Sequence, residues 1–143
     1  NLSVSEINGR VYVRSFEKDS IYILLEELSM KEQSDFAIDN ISATVSGNDE
    51  YLGIDELLFK TPNSEINIAN VQLYHDNYKS FKDPLEKLRT EIEILPSNIS
   101  VSDFSAFRPS LSALDGNLYI KGKGYGKSDK FQLKDFETQT AKI

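Results

Sequence analysis

The sequence contains no cysteine and no tryptophan, and it has a single histidine. Without cysteine there can be no disulfide framework and no thiolate metal site, so thiols give no information about the redox compartment. The histidine, His75, has no second His or Cys with which to complete a zinc site. It also has no Ser or Cys nucleophile in a recognisable context. We therefore expect His75 to lie in a surface turn, and we expect neither a catalytic site nor a metal or organic cofactor.

Basic residues and long apolar runs are also scarce. Lys and Arg number 16 against 23 Asp and Glu, which gives a formal net charge of −7. No stripe of basic residues with interleaved aromatics is present, so we expect no nucleic-acid partner. No apolar run approaches the roughly 20 residues that a membrane helix requires. The length of 143 residues predicts one domain, residues 1–143.

A repeated spacing of apolar residues runs along the chain. Eight Phe and seven Tyr indicate a β-rich fold. Within it recurs one pattern, an apolar pair at alternate positions, a step of three residues, and a second alternating pair. Looser copies begin at Leu2, Ile99 and Phe131. Four consecutive segments match in full: Ile23-Leu25-Leu28-Met30, Phe36-Ile38-Ile41-Ala43, Leu52-Ile54-Leu57-Phe59 and Ile66-Ile68-Val71-Leu73.

The three-residue step predicts a kinked strand. Alternate side chains of a strand face opposite sides of the sheet, so this step alone would send the second pair to the other face. One extra residue, a β-bulge, restores the facing and bends the strand. We expect such kinks near Asn40, Glu56 and Asn70. The alternative is two short strands joined by a hairpin, but pairs such as Asp39-Asn40 and Asp55-Glu56 lack the glycine that two-residue turns prefer.

Turn and helix signals complete the predicted fold. Asp83 as N-cap and Pro84 at the first helical position predict a short helix over residues 83–89, and a second helical turn is predicted over residues 103–107. Turn-forming residues separate the strands, at Asn8-Gly9, Gly47-Asn48-Asp49, Thr61-Pro62-Asn63-Ser64, His75-Asp76-Asn77, Asp115-Gly116-Asn117 and Lys127-Ser128-Asp129. We therefore expect a mainly β fold with one or two short helices. We expect seven or more bent antiparallel strands, about nine or ten at a spacing of ~4.8 Å, folded into a β-taco-like trough or a flattened sandwich.

Two segments resemble the TamB/AsmA-like family of diderm bacteria. They are residues 36–43 followed by residues 57–66, with Lys60-Thr61-Pro62-Asn63-Ser64 as the most specific phrase, and residues 95–109, a strand followed by a helical turn and Pro109. The resemblance implies an interior segment of a longer protein that spans the periplasm and is tethered to the inner membrane elsewhere. It implies transport of phospholipid towards the outer membrane and help in outer-membrane protein assembly. The implied partners are phospholipid acyl chains, neighbouring repeats of the same chain and an outer-membrane assembly protein.

The apolar side of the predicted trough is the candidate lipid site. The alternative is a trough filled by its own side chains, which would make the chain a structural or adhesin-like stalk with a closed core. We expect no enzyme activity, because no catalytic cluster stands out in the sequence. The residues predicted to line the groove are Phe36, Ile38, Ile41, Ile54, Leu57, Phe59, Ile66, Ile68 and Val71.

Overall fold

The computed structural model describes residues 4–17, 19–32, 36–76, 78–83, 87–105, 109–110, 116–127 and 130–141. They form one eight-stranded antiparallel sheet whose strand order is the chain order. Two 3-10 helices, Tyr78–Lys82 and Val101–Phe104, precede and follow the sixth strand. The strands are β1 (Val4–Glu17), β2 (Ser20–Glu32), β3 (Ala37–Gly47), β4 (Tyr51–Lys60), β5 (Glu65–Tyr74), β6 (Arg89–Ser100), β7 (Asn117–Gly126) and β8 (Gln132–Ala141).

The predicted fold class, a mainly β antiparallel sheet of bent strands, is confirmed. The eight strands agree with the prediction of seven or more but are fewer than nine or ten, because patterns that look separate in the sequence lie in single long strands. β1 contains the described part of the apolar pattern that begins at Leu2, and it also contains the Val11-Val13 alternation. β6 likewise runs from Ile92 through Ile99. The looser copy that begins at Ile99 is not a kinked strand, since it enters the 3-10 helix Val101–Phe104.

The kinks fall at the three-residue steps. In β2, Leu25 pairs with Ala43 and Leu28 with Ile41, so two β2 residues oppose one residue of β3. On β3 the extra residue lies between Ile38 and Ile41, as predicted near Asn40. These bulges keep the apolar pairs on one face, because Ile38 and Ile41 oppose two β2 residues that are themselves two apart. The kinked-strand prediction is therefore confirmed over the hairpin.

In alternate strands the bulge uses left-handed backbone. The second residue of the three-residue step has φ of 53° at Glu27, 51° at Glu56 and 50° at Asp135. In β6 the bulge lies at Leu95-Pro96, between Ile94 and Ser97. Positive φ disfavours side chains with a Cβ. The bend therefore forms at a local conformational cost.

We expect Glu56→Gly to stabilise the protein by up to about 1 kcal/mol, because glycine adopts positive φ without steric cost. Glu56 is exposed, so little packing is lost with its side chain. Glu56→Val should instead destabilise the fold by more than about 1 kcal/mol. Urea unfolding of the two variants checks this, and equal stability would contradict a left-handed bulge.

Two glycines lie directly against these bulges. Gly9 of β1 has φ 140°, and a Cβ added there would lie 2.7 Å from the Leu28 Cα. Gly122 of β7 has φ 144°, and its Cβ would lie 2.7 Å from the Phe136 Cα. The turn predicted at Asn8-Gly9 is therefore wrong, since Gly9 is in the middle of β1. It is the bulge of β2 that requires a glycine there.

The connections contain two further outcomes. The helix predicted from Asp83 falls partly on residues 84–86, which lie outside the described residues; its described part is a hydrogen bond of 3.1 Å from the Lys87 N–H to the Asp83 carbonyl. The prediction of a surface histidine is wrong, because His75 is only 6% exposed. Its ring packs 5.1 Å, centroid to centroid, from Phe81 of the first 3-10 helix. That helix folds back over the end of β5 and covers the imidazole.

Candidate functional site: the apolar face of the sheet

One unbroken row of apolar residues and glycine crosses the whole sheet. Each member pairs directly with the next across neighbouring strands, and directly paired residues point to the same side. We call this side the inner face and the row the inner row. The row consists of Val13, Ile23, Val45, Ile54, Val71, Ile92, Gly124 and Leu133.

Most of the predicted groove residues share this face. Ile41, Phe59 and Ile66 form a second row on the far side of the bulges. Leu57 pairs with Ile68, which in turn pairs with Ile94. Because the bulges keep the facing constant, Ile38, Ile54 and Val71 lie on this side as well. Phe36 precedes β3 at one end of the face, where its ring lies 6.2 Å from that of Phe104. Whether these residues form a lipid groove stays a prediction.

The inner face is only partly covered by protein. Among the described residues, the buried apolar side chains are Phe36, Ile38, Ala43 and Leu88. The central members of the inner row are half-buried, and the end members Val13 and Leu133 are 58% and 57% exposed. The face therefore has the character of an open apolar surface.

The opposite face carries polar and charged residues over most of its width. We call this side the outer face and its paired residues the outer row. Glu93 and Lys123, neighbours in this row, form an ion pair of 3.3 Å. The sheet therefore has one polar, solvated face and one apolar face. The outer row consists of Tyr12, Leu24, Thr44, Asp55, Asn70, Glu93, Lys123 and Lys134.

The carboxylate of Asp103 holds the turn between β4 and β5 against the 3-10 helix that follows β6. Asp103, in the second 3-10 helix, accepts hydrogen bonds from the turn between β4 and β5. The Ser64 hydroxyl donates at 2.7 Å, the Asn63 side-chain amide at 2.8 Å and the Asn63 backbone N–H at 3.2 Å. The Thr61 hydroxyl donates as well. Ser64 also accepts from the Ser100 N–H at 2.9 Å. We call this set of contacts the Asp103 clamp.

The Asp103 clamp was not predicted from the sequence. Its two parts are the 61–64 turn and the 95–109 segment, which carry the family resemblance, and the clamp brings them together. A turn of the form Thr-Pro-Asn-Ser offers several donors to one acceptor, and this was the available signal. Nothing local identifies an aspartate about forty positions further along as that acceptor.

Titration of Asp103 should affect stability. Burial raises the pKa of this carboxyl, but the hydrogen bonds that the turn donates outweigh burial and hold the pKa below its ordinary value. The clamp is therefore at full strength above about pH 4 and weakens as the pH falls through the folded-state pKa. We expect the wild-type protein to lose more unfolding free energy between pH 6 and pH 3 than Asp103→Asn does, measured by urea unfolding at each pH.

Truncation of the same residue tests the clamp at neutral pH. Asp103→Ala leaves the donors of Thr61 and Ser64, both buried, without their acceptor, and it should cost about 1–3 kcal/mol. The exposed carboxylate of Asp83, which pairs with Lys87 at 3.1 Å, provides a control, since Asp83→Ala should cost less than about 1 kcal/mol. Equal effects of the two substitutions would show that the clamp adds nothing to stability.

The described residues contain no group of three or more His, Cys, Asp or Glu side chains that could hold a metal ion. No helix in the described part of the chain is long and apolar enough to span a bilayer. In comparisons with known proteins, no family model, curated protein or solved structure matches the chain.

Proposed function

We propose that the chain is a segment of a periplasm-spanning β-repeat protein and that its inner face binds and conducts phospholipid acyl chains. The observation that carries the proposal is the inner row, which crosses all eight strands without a charged or polar member. An acyl chain laid along it would run across the strands. Eight strands spaced about 4.8 Å apart give a path of about 34 Å between the first and the last.

The physical basis of binding is the burial of methylene groups. Each methylene moved from water to an apolar surface contributes about 0.8 kcal/mol. The half-buried aliphatic side chains of the inner row, such as Ile23, Ile54 and Ile92, supply the contact surface. The inner row has no hydrogen-bonding side chain that would hold a lipid at one position. Many weak contacts of the same kind along the row would let an acyl chain move more readily than tight binding at one position would.

The cellular setting rests on the family resemblance. We propose that the segment lies in the periplasm, tethered to the inner membrane by another part of the protein, and that lipid moves towards the outer membrane. Neighbouring repeats and an outer-membrane assembly protein are the proposed partners. The role we propose is non-catalytic.

The competing interpretation is a structural stalk whose core is closed by its own side chains. Such a core would bury the large apolar side chains of the inner face. Here Ile41, Leu57, Phe59 and Ile68 are half-buried, and this favours the lipid-binding proposal.

Native mass spectrometry tests the proposed function. The 143-residue chain, expressed in a diderm bacterium and purified from a lysate that contains membranes, should carry phospholipid adducts. Added oleate should replace them in proportion to its concentration. A folded protein that shows no adduct, even with added phospholipid or oleate, would favour the stalk.

A further inference from the structure

A polar depression lies on the outer face of the sheet, beside the turn between β4 and β5. Its volume is about 390 Å³, within the range of about 300–1,000 Å³ that is common for small-molecule sites. Lys60 follows Phe59 of the inner face, so the side chains that pair with Lys60 point to the outer side. The depression is lined by the directly paired row Lys60, Glu65, Asn98 and Tyr119, and by Asn67.

A second depression repeats these groups further along the same three strands. Its volume is about 310 Å³, and it is lined by Asn70, Glu93, Lys123 and Tyr125 among others. Tyr119 and Tyr125 both belong to β7 and point to the same side. They are six residues apart, which is about 20 Å along an extended strand. Each depression therefore combines a tyrosine, an asparagine and a pair of opposite charges.

The charges in the two depressions balance each other. Every charged side chain that lines them has an opposite charge within 4.0 Å, in the pairs Lys60–Glu65, Lys123–Glu93 and Arg89–Glu91. An anionic ligand such as a phosphate group would need a cationic side chain that is not already paired, and a cationic ligand would need such a carboxylate. The balance of charge therefore favours an uncharged ligand.

The uncharged side chains retain hydrogen-bonding capacity for such a ligand. In the described part of the chain, the Asn98 amide and the Tyr119 hydroxyl have no protein partner. The Asn67 amide N–H donates to the Glu65 carboxylate at 3.2 Å, which leaves the Asn67 carbonyl oxygen as an acceptor. An asparagine amide both donates and accepts, and a tyrosine presents an apolar ring with a polar tip. Together they fit a molecule with hydroxyl groups around its edge and C–H groups on its faces, which describes a sugar ring.

We propose that the outer face of β5, β6 and β7 binds an uncharged, extended oligosaccharide, with one sugar ring against Tyr119 and another against Tyr125. The hydroxyl groups of the first ring would bond to the amides of Asn67 and Asn98. An extended chain that follows the strand direction reaches both depressions, because both lie along the same strands. The proposal concerns the outer face alone and holds whether or not the inner face binds lipid.

Titration followed by amide chemical shifts in NMR spectra tests the proposal. The probes are cellohexaose and chitohexaose, which are both uncharged and extended. We expect at least one of them to shift the amide signals of Asn67, Asn98, Tyr119 and Tyr125, with a Kd of about 1 mM or lower. The corresponding disaccharide reaches only one depression and should bind at least about tenfold more weakly. Raising NaCl from about 50 mM to about 500 mM should change the affinity less than about twofold, because no unpaired charge takes part.

Three results would overturn the proposal. The first is that neither hexasaccharide shifts these signals at about 10 mM, ten times the expected Kd. The second is that the shifts are confined to inner-face residues such as Ile54 and Val71. The third is that the disaccharide binds as tightly as the hexasaccharide, or that salt abolishes binding.

Two tyrosines of the outer face provide a matched pair of variants. Tyr125 and Tyr12 are 45% and 46% exposed, and only Tyr125 lines a depression. Tyr125→Ala should weaken hexasaccharide binding at least about fivefold, since the ring contact is lost, whereas Tyr12→Ala should change it less than about twofold. Asn98→Ala removes an exposed amide and should weaken binding at least about threefold. Thermal melting checks that each variant is folded. Folded Tyr125→Ala and Asn98→Ala proteins that bind like Tyr12→Ala would place the sugar elsewhere and overturn the proposal.

Discussion

Gly122→Ala should destabilise the protein by about 3 kcal/mol or more. The alanine Cβ would meet the Phe136 Cα at 2.7 Å and the Asp135 carbonyl oxygen at 3.1 Å. Both contacts involve the backbone of β8, so no side-chain rotation relieves them. The backbone φ of 144° adds strain for any residue with a Cβ. Against a typical total stability of about 5–15 kcal/mol, this is enough to detach or unfold the β7–β8 pair.

Gly53→Ala is the matched control. Gly53 also lies in a strand and is buried, but its added Cβ would meet nothing closer than 3.5 Å, and its φ is not positive. The same chemical change there should alter the unfolding free energy by less than about 1 kcal/mol. Guanidinium unfolding of the two variants measures the difference. Similar stabilities would mean that β8 does not approach Gly122 as closely as described.

Ile54→Asp should weaken acyl-chain binding by at least about tenfold. Ile54 is in the middle of the inner row, paired with Val45 on one side and Val71 on the other. A carboxylate there has no charged partner in the row and must lose water when an acyl chain covers it. A loss of 1.4 kcal/mol is already tenfold in affinity, and a desolvated charge exceeds that. Oleate titration followed by native mass spectrometry gives the affinity.

Leu58→Asp on the same strand separates binding from stability. Leu58 is half-buried like Ile54, but it pairs with Ser42 and Asn67 on the outer face. Both variants should lose some stability, which thermal melting measures. Only Ile54→Asp should lose binding. A folded Ile54→Asp protein that binds oleate with wild-type affinity would show that acyl chains do not bind to the inner face.

The kinked strands could be predicted from the sequence because the information is local. A three-residue step between apolar pairs requires a bulge wherever one face must stay apolar, and Ile38 and Ile41 follow that rule. In β6 the same pattern was missed, since the third position is Ser97, buried at 3% exposure. Its hydroxyl accepts a hydrogen bond of 2.8 Å from the Asn67 N–H across the bulge. A polar residue can therefore occupy an apolar position of the repeated pattern when its side chain replaces a backbone hydrogen-bond partner.

The features that were wrong or missed depend on neighbours distant in sequence. Asn8-Gly9 has the composition of a turn, but its glycine is required by the bulge of β2. His75 lies among polar residues in the sequence, but Phe81 and the 3-10 helix Tyr78–Lys82 to which it belongs bury the imidazole. The Asp103 clamp joins residues about forty positions apart. None of these contacts leaves a periodic signal that a single sequence would reveal.

The most direct test of the lipid-binding account is photo-cross-linking at two adjacent residues of β5. Val71 belongs to the inner row and Asn70 to the outer row, so a photoreactive amino acid at each position samples opposite faces of one strand. The protein is irradiated in the diderm host, and phospholipid adducts are measured by mass spectrometry. The account predicts adducts at position 71 and few or none at position 70. Equal labelling at both positions, or lipid attached at position 70 alone, would contradict it.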